Sequence, residues 1–323
     1  MYETHSVARP QLAEGTYSGV TGQLPHCESD TLSAAERGSD GPDGEDSPSR
    51  AGSPVAGASM TASGAGDGGM SGGRGPNPVR IGVLGPMEVL LDGEDLTPSA
   101  PMTRRTLAVL LLHANRVVPL STLIDELWEG APPRLARKTV QTYVYQLRQL
   151  LGPLAPDAIE TRGSGYVLRL EAGELDLWEF ERMSAEGRRA LEDGDAEKAA
   201  VVLGEALDFW RGSAFADIVA PGPMLSARIA QVDDSRLHAL ELRIESELRL
   251  GRHRSLLGEL FELTAIHPLH EEFTAQLMRA AYRSGRPGMA LSAFTRLRSR
   301  LVEELGLEPS QRLCRLQQEV LSL

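Results

Sequence analysis

The stretch RKTVQTYVYQLRQLLG (137–152), followed by IETRGSGYVL (159–168), decides the fold of this chain. The first part has apolar side chains three and four residues apart, the spacing of one buried helix face: Val140, Val144, Leu147 and Leu151. The second part has two short runs of β-forming residues around a pair of glycines, which predicts a hairpin. A helix followed by a hairpin is how a winged helix-turn-helix ends.

The opposite face of the predicted helix carries hydroxyls, amides and cations but no carboxylate. Its residues are Lys138, Thr142, Tyr145, Gln146 and Gln149, with Gln141 and Arg148 at its edges. A solvated helix face usually mixes Glu with Lys at paired spacings. Side chains that donate hydrogen bonds without repelling phosphates suit a helix that lies against DNA. The pattern therefore indicates a recognition helix, with a neutral solvated face as the alternative.

The predicted hairpin carries Arg162 at its tip, beside Gly163. Glycine lets the backbone approach a surface closely, and an arginine at such a tip can enter a minor groove. An exposed hairpin arginine without a function is the alternative. The hairpin and the helix together favour DNA binding.

Upstream of these elements, the sequence predicts the remainder of a winged helix. The runs VRIGVLG and MEVLL, separated by a Gly-Pro turn, indicate a small antiparallel sheet. Helices are predicted over 103–115, over 121–130 with Ser121 as N-cap, and over 134–152.

From Asp176 onward, helical spacing continues to the end of the chain. The turn glycines Gly251 and Gly285 are 34 residues apart, the period of tetratricopeptide repeats, and small or aromatic packing residues lie near the second: Ala280, Tyr282 and Ala290. Residues 1–78 are rich in Gly, Ser and Pro and poor in large apolar side chains. We therefore predict a mainly α chain with a small β component, divided into a disordered tail, a winged-helix DNA-binding domain and an all-α tetratricopeptide-like domain, over 1–78, 79–171 and 172–323.

Charge is distributed unevenly along the 323 residues. The net charge is −12, yet residues 130–156 contain no Asp or Glu and hold Arg134, Arg137, Lys138 and Arg148. Such a local field attracts phosphates despite the acidic total.

Other features argue against secretion, membranes and catalysis. No apolar run is long enough for a membrane span or a signal peptide, and Cys27 and Cys314 cannot form a disulfide framework, so we expect a soluble cytoplasmic protein. The sequence lacks a Walker A lysine, GxSxG, HExxH and paired cysteines. His267 and His270 flank a Pro-Leu turn where a helix is predicted to start, and this explains them more simply than metal binding does. Three tryptophans lie among apolar neighbours and are predicted to be core residues: Trp128, Trp178 and Trp210. We expect no catalytic residue, no metal and no cofactor, and we therefore expect that this protein is not an enzyme.

The helix and hairpin resemble the OmpR/PhoB-type winged helix. That resemblance implies that DNA is contacted by the recognition-helix residues Arg137, Lys138, Thr139, Thr142, Tyr143, Tyr145, Gln146 and Arg148, and by the wing residues Arg162, Gly163 and Ser164. It also implies that the loop EGAPPRLA (129–136) faces RNA polymerase through Pro132, Pro133 and Arg134.

Two departures from the OmpR/PhoB pattern matter. A low-complexity stretch takes the place of the phosphoacceptor receiver domain, so we do not expect aspartate phosphorylation as the switch. Tyr145 and Gln146 replace an arginine pair common in that family, so its base preference does not transfer.

The helical half resembles the bacterial transcriptional activation domain of the Streptomyces antibiotic regulatory protein (SARP) family, the AfsR/DnrI/RedD group. The matching stretches, in order after the winged helix, are LDLWEFE, LDFWRGSAF, HPLHEEFTAQLMRAAYRSGRPGMAL and RLVEELGLEPS. The resemblance covers about residues 79–323 and identifies a small SARP without the ATPase module that larger relatives add.

The family resemblance implies a pathway-specific activator of a secondary-metabolite gene cluster in an actinomycete. Such a protein binds direct repeats in double-stranded promoter DNA, self-associates there, recruits RNA polymerase with its sigma subunit, and is associated with the nucleoid. Helical repeats also commonly bind peptides, and a winged helix can serve as a docking module. A protein-interaction adaptor, or a regulator that senses a ligand through the helical domain, is the alternative. Sequence-dependent DNA binding distinguishes the activator from the adaptor.

Overall fold

The computed structural model describes residues 80–91, 93–152 and 157–322. The predicted disordered tail, 1–78, lies outside the described residues. Strands and helices follow one another along the described part in this order: β1 (Arg80–Gly82), β2 (Glu88–Leu91), β3 (Glu94–Asp95), α1 (Pro101–Leu112), β4 (Val118–Pro119), α2 (Leu120–Trp128), α3 (Ala136–Leu151), β5 (Ile159–Arg162), β6 (Gly165–Leu168), α4 (Asp176–Glu192), α5 (Ala196–Leu207), α6 (Pro223–Arg249), α7 (Leu257–Ile266), α8 (Glu271–Arg283), α9 (Pro287–Leu305) and α10 (Gln311–Leu321).

Two small sheets accompany the first three helices. β1, β2 and β3 form an antiparallel sheet in that order, with Ile81 opposite Val89. The second sheet has the order β4-β6-β5, and β5 and β6 form the predicted hairpin, in which Arg162 lies opposite Gly165. Gly165 packs so closely on β4 that a Cβ would lie 2.3 Å from the carbonyl oxygen of Val118. The predicted winged helix is confirmed, and its hairpin requires glycine at this position.

The helix bounds in the winged helix differ slightly from those predicted. α1 begins at Pro101 rather than at residue 103, because a proline in the first turn loses no intrahelical hydrogen bond. α2 begins at Leu120 without a side-chain cap, so the predicted Ser121 cap is wrong. α3 begins at Ala136, which leaves Arg134 in the preceding loop. The buried stripe of α3 is the one predicted: Val140, Val144, Leu147 and Leu151.

Helices α4 to α10 form the second half of the structure and make the fold mainly helical, as predicted. Gly251 and Gly285 follow α6 and α8 with φ of 77° and 74°, the left-handed conformation that commonly ends a helix. Ala280 and Ala290, near the second glycine, are fully buried, and Tyr282 is half-buried against the same core. Within the described ranges, no helix has the length and apolar character needed to cross a bilayer.

The hydrophobic core divides within α6. One cluster of buried side chains extends from Ile81 in β1 to Ala239 in α6 and draws on both sheets and on α1 to α6. A second cluster begins at Ile244 in α6 and ends at Val320 in α10. The winged helix and α4 to α6 therefore bury their apolar side chains together, while the domain division at residue 171 stays a prediction.

Carboxylates of the helical half also hold the winged helix through hydrogen bonds. Asp176 of α4 accepts from the backbone nitrogens of Val83 at 2.9 Å and Leu84 at 3.1 Å, in the turn after β1. Burial raises the pKa of the Asp176 carboxyl, and these two hydrogen bonds oppose the rise. Asp217, in the loop before α6, pairs with Arg104 of α1 at 2.7 Å.

A buried carboxylate of α2 holds the start of α6. Glu126 is 3% exposed, and its two oxygens accept from the backbone nitrogens of Met224 at 2.9 Å and Leu225 at 3.0 Å. These N–H groups lie in the first turn of α6, where a helix has no carbonyl to offer them and where a negative charge is favourable. A Cβ on Gly222 would lie 2.5 Å from the Oε2 atom of Glu126, so this contact also requires glycine before α6.

We expect Glu126→Ala to lower the free energy of unfolding by about 1–3 kcal/mol, because the half-buried N–H of Met224 and the buried N–H of Leu225 lose their acceptor. Urea unfolding followed by circular dichroism measures this change. The matched control is Asp125→Ala, which removes an exposed carboxylate from the neighbouring position of α2. Equal stability of the two variants would contradict the role assigned to Glu126.

The division of the core within α6 predicts two cooperative units in native-state hydrogen exchange. We expect the amides of α1, α3 and α5 to share one opening free energy, those of α8 and α9 to share another, and the border to lie between Ala239 and Ile244. Exchange over a denaturant series measures these free energies. The expectation fails if the border lies near residue 171, with α5 opening together with α8.

Candidate nucleic-acid interface

The outer face of α3 presents the side chains predicted to contact DNA. The exposed ones are Arg137, Lys138, Thr142, Tyr145 and Gln146, and the half-buried ones are Thr139, Tyr143 and Arg148. The buried stripe of α3 packs into the core, so this outer face is the one left open to a partner. No residue of α3 is a carboxylate. A phosphate approaching this face therefore meets cations, hydroxyls and amides without repulsion from α3 itself.

The two threonines on α3 use their hydroxyl hydrogens within the helix. Thr139 Oγ1 donates to the carbonyl of Leu135 at 3.1 Å, and Thr142 Oγ1 donates to the carbonyl of Lys138 at 3.0 Å. Toward a ligand, these hydroxyl oxygens are left as acceptors, beside the methyl groups. A base that presents an amino group or a methyl group suits this chemistry.

Arg148 joins α3 to the hairpin. Its Nε donates to the carbonyl of Ile159 at 2.9 Å, and its Nη2 donates to Thr161 Oγ1 at 2.8 Å. The guanidinium carbon also lies 5.8 Å from the ring centroid of Tyr166 in β6. Arg148 therefore has a structural role at one edge of the α3 face, which sequence reasoning did not find because the partners come from a separate element.

Thr103 joins α1 to the other edge of the α3 face. Its hydroxyl Oγ1 donates to Gln146 Oε1 at 2.9 Å, across 43 positions of sequence. Thr103 is 5% exposed, whereas Gln146 is exposed. Sequence reasoning missed Thr103. The sequence does show a polar residue on the inner face of an apolar helix, but it does not identify the hydrogen-bond partner of that residue.

The hairpin presents the three predicted wing residues at its exposed end: Arg162, Gly163 and Ser164. Gly163 has φ of 56°, the left-handed conformation that a two-residue hairpin turn requires. Arg162, whose side chain is 60% exposed, pairs with Glu160 at 2.7 Å, and Arg169 reaches the same carboxylate at 3.2 Å. Hydrogen bonds from Arg169 and Arg162 lower the pKa of Glu160. The hairpin thus holds two arginines around one ionised carboxylate.

The loop between α2 and α3 is exposed, and it contains the residues predicted to face polymerase: Pro132, Pro133 and Arg134. The backbone nitrogen of Ala136 donates to the carbonyl of Pro133 at 3.0 Å, which joins the loop to the start of α3. Leu135, next to Arg134, is 66% exposed. The loop therefore adjoins the N-terminal end of α3 and lies outside the exposed face of that helix.

The histidines and tryptophans have the structural roles predicted for them. His270 is the N-cap of α8, since its Nδ1 accepts from the backbone nitrogen of Phe273 at 3.4 Å. Trp210 is 9% exposed and meets Phe180 edge to face at 5.3 Å, while Trp128 and Trp178 pack partly buried on the same core. In the part of the chain that the structure describes, no three metal-binding side chains are grouped to hold an ion.

Two comparisons agree with this architecture. Residues 95–168 match the family described as transcriptional regulatory protein, C terminal, and residues 175–321 match the bacterial transcriptional activator domain. The chain is 44% identical over 252 residues to the regulatory protein DnrI of Streptomyces peucetius, which covers 75% of this chain and 92% of DnrI. It is 38% identical over 244 residues to the regulatory protein AfsR of Streptomyces coelicolor, covering 75% of this chain but only 24% of AfsR.

A solved structure has the same fold. Mycobacterium tuberculosis EmbR, in a complex with a low affinity phosphopeptide, superposes with a TM-score of 0.73 at 31% sequence identity, over 76% of this chain and 65% of that chain. The 44% identity over 92% of DnrI, together with the two family matches in this chain, is enough to assign the family. This chain belongs to the Streptomyces antibiotic regulatory protein family of transcriptional regulators.

Proposed function

We propose that this chain is a sequence-specific DNA-binding activator of a secondary-metabolite gene cluster, and that it acts without catalysis. The observation that carries the proposal is the exposed, carboxylate-free face of α3 beside a hairpin with two arginines around one carboxylate. α3 enters the major groove, where Thr142, Tyr145 and Gln146 meet base edges, and Arg137 and Lys138 neutralise phosphates. Arg162 at the hairpin reaches the adjacent minor groove.

The activator binds direct repeats in the promoter, one protomer on each repeat. Protomers on direct repeats have the same orientation, so the contact between them joins two different surfaces of the chain, head to tail. The α2–α3 loop and the helical half are then free to contact RNA polymerase and its sigma subunit. Such a contact raises promoter occupancy by a coupling of about 1–3 kcal/mol, the range usual between two binding sites.

The decisive test is fluorescence-anisotropy binding of the full chain to promoter fragments from its genomic neighbourhood, over a salt series, with scrambled DNA of equal length as the reference. An activator prefers fragments with direct repeats, and its affinity falls steeply with salt. Weak binding that ignores sequence would overturn the proposal and favour a protein-interaction adaptor built on the helical half.

Lys138 beside a phosphate and Arg162 in the minor groove should each contribute one positive charge to DNA binding. We expect Lys138→Ala and Arg162→Ala to weaken binding and to reduce the slope of log affinity against log salt by about one unit each, since each variant releases one counterion fewer. The matched control is Lys198→Ala in α5, because Lys138 and Lys198 are the only lysines of the chain and Lys198 pairs with Glu186. Slopes unchanged from the unmodified chain in both test variants would sink the assignment of these two residues.

Arg134 should act in activation and not in DNA binding. We expect Arg134→Ala to keep the affinity for promoter DNA within about twofold, because this side chain lies in the α2–α3 loop, and to reduce transcription in vitro from the target promoter. Arg116→Ala, which alters another exposed arginine of the winged helix, serves as the control. Full transcription by the Arg134 variant would show that the loop has no part in recruiting polymerase.

A further inference from the structure

The hydroxyl of Thr103 has one acceptor, and that acceptor lies on the proposed recognition helix. A threonine inside a helix usually donates to the carbonyl four residues earlier, as Thr106 of α1 does to Met102 at 2.8 Å. Thr103 is the third residue of α1, so the residue four positions earlier, Ser99, precedes the helix and offers no such carbonyl. Thr103 instead donates to Gln146 Oε1 at 2.9 Å.

This hydrogen bond determines which end of the Gln146 side chain faces outward. A buried hydroxyl hydrogen without an acceptor is costly, so the carboxamide oxygen must face Thr103. The amide nitrogen, Nε2, then points away from Thr103, and among the described residues it has no hydrogen-bond acceptor. It carries two hydrogens and no lone pair that a base can use.

We propose that Thr103 is a positioning residue that holds the carboxamide of Gln146 in one orientation for reading a base edge. A free glutamine reads adenine with both ends at once, its oxygen accepting from N6 and its nitrogen donating to N7. The carboxamide oxygen has two lone pairs, so Gln146 can accept from Thr103 and from a base at the same time, and the bond to Thr103 fixes the orientation in which it does so. A glutamine fixed in one orientation discriminates between bases more sharply than one that is free to rotate, because only one base edge matches the positions of its donor and acceptor. This inference rests on the proposed DNA-binding function.

The test compares variants of the full chain on a promoter fragment that the unmodified chain binds, with each base pair of one repeat replaced in turn. Gln146→Ala, an exposed substitution, identifies the base pair that Gln146 reads. Thr103→Val keeps the shape of the side chain and removes the donor. We expect it to reduce the preference for the original base at that same base pair by about fivefold or more, the low end of what one base contact contributes.

Three controls separate positioning from a general effect on the fold. Thr103→Ser keeps the hydroxyl and should keep the original preference. Thr106→Val removes the other buried hydroxyl of α1, which bonds within its own helix, and should also keep it. In the Gln146→Ala background, Thr103→Val should change no base preference, because the side chain that it positions is gone.

The inference is overturned if Thr103→Val has the base preferences of the unmodified chain, or if it loses affinity equally at every base pair. It is also overturned if Gln146→Ala leaves every base preference intact, and this result does not depend on whether the Thr103 variants fold. These results differ from a failure of the proposed function, in which the unmodified chain itself does not distinguish the repeats from scrambled DNA.

Discussion

Glu126 lies on α2, which packs against α3. The buried carboxylate of Glu126 accepts hydrogen bonds from two backbone N–H groups in the first turn of α6. α6 has 27 residues, and its side chains belong to both hydrophobic clusters: Val232 and Ala239 to the first, Ile244 and Leu248 to the second. The direction of this helix therefore sets the position of α7 to α10 as well. A charged acceptor makes stronger hydrogen bonds than a neutral one, and moving it away would leave the half-buried N–H of Met224 and the buried N–H of Leu225 without a partner.

The consequence for function is that α3 is held in place before any ligand arrives. Thr103 bonds to one edge of its exposed face, and Arg148 bonds that face to the hairpin at the other edge. Side chains ordered in advance do not lose that freedom on binding, so more of the contact energy appears as affinity. These bonds to neighbouring elements order the exposed face of α3 in advance, which suits it to the proposed discrimination between DNA sequences.

Net charge is a poor guide to what this chain contacts. The total of −12 coexists with an α3 that has no carboxylate. In the helical half, carboxylates are engaged by arginines of neighbouring helices, as Glu272 is by Arg279 at 3.0 Å and Arg312 at 2.7 Å. The field near a phosphate depends on charges within about one Debye length, roughly 8–10 Å, so remote acidic residues have little effect on the α3 face.

The sequence by itself determined the first two strands, the helices, the terminal hairpin and the faces of α3, but not the short strands β3 and β4. Periodicity is a local property, so Val140, Val144, Leu147 and Leu151 identify the buried stripe of the helix, and the glycines at 163 and 165 identify the hairpin, without knowledge of any distant partner. The same locality explains the errors in helix bounds, since Pro101 and Pro119 act at the ends of helices where periodicity gives no signal.

Only the tertiary structure decided which distant residues meet. Glu126 contacts residues 98 and 99 positions away, and Thr103 contacts Gln146 across 43 positions. A lone buried polar side chain indicates that a partner exists, because it cannot stay unpaired, yet its identity depends on how helices cross. The shared core of the winged helix and α4–α6 could not be predicted from sequence for the same reason. Local sequence pattern specifies most of the elements, and tertiary packing alone specifies which elements share a core and which atoms of the exposed α3 face remain free.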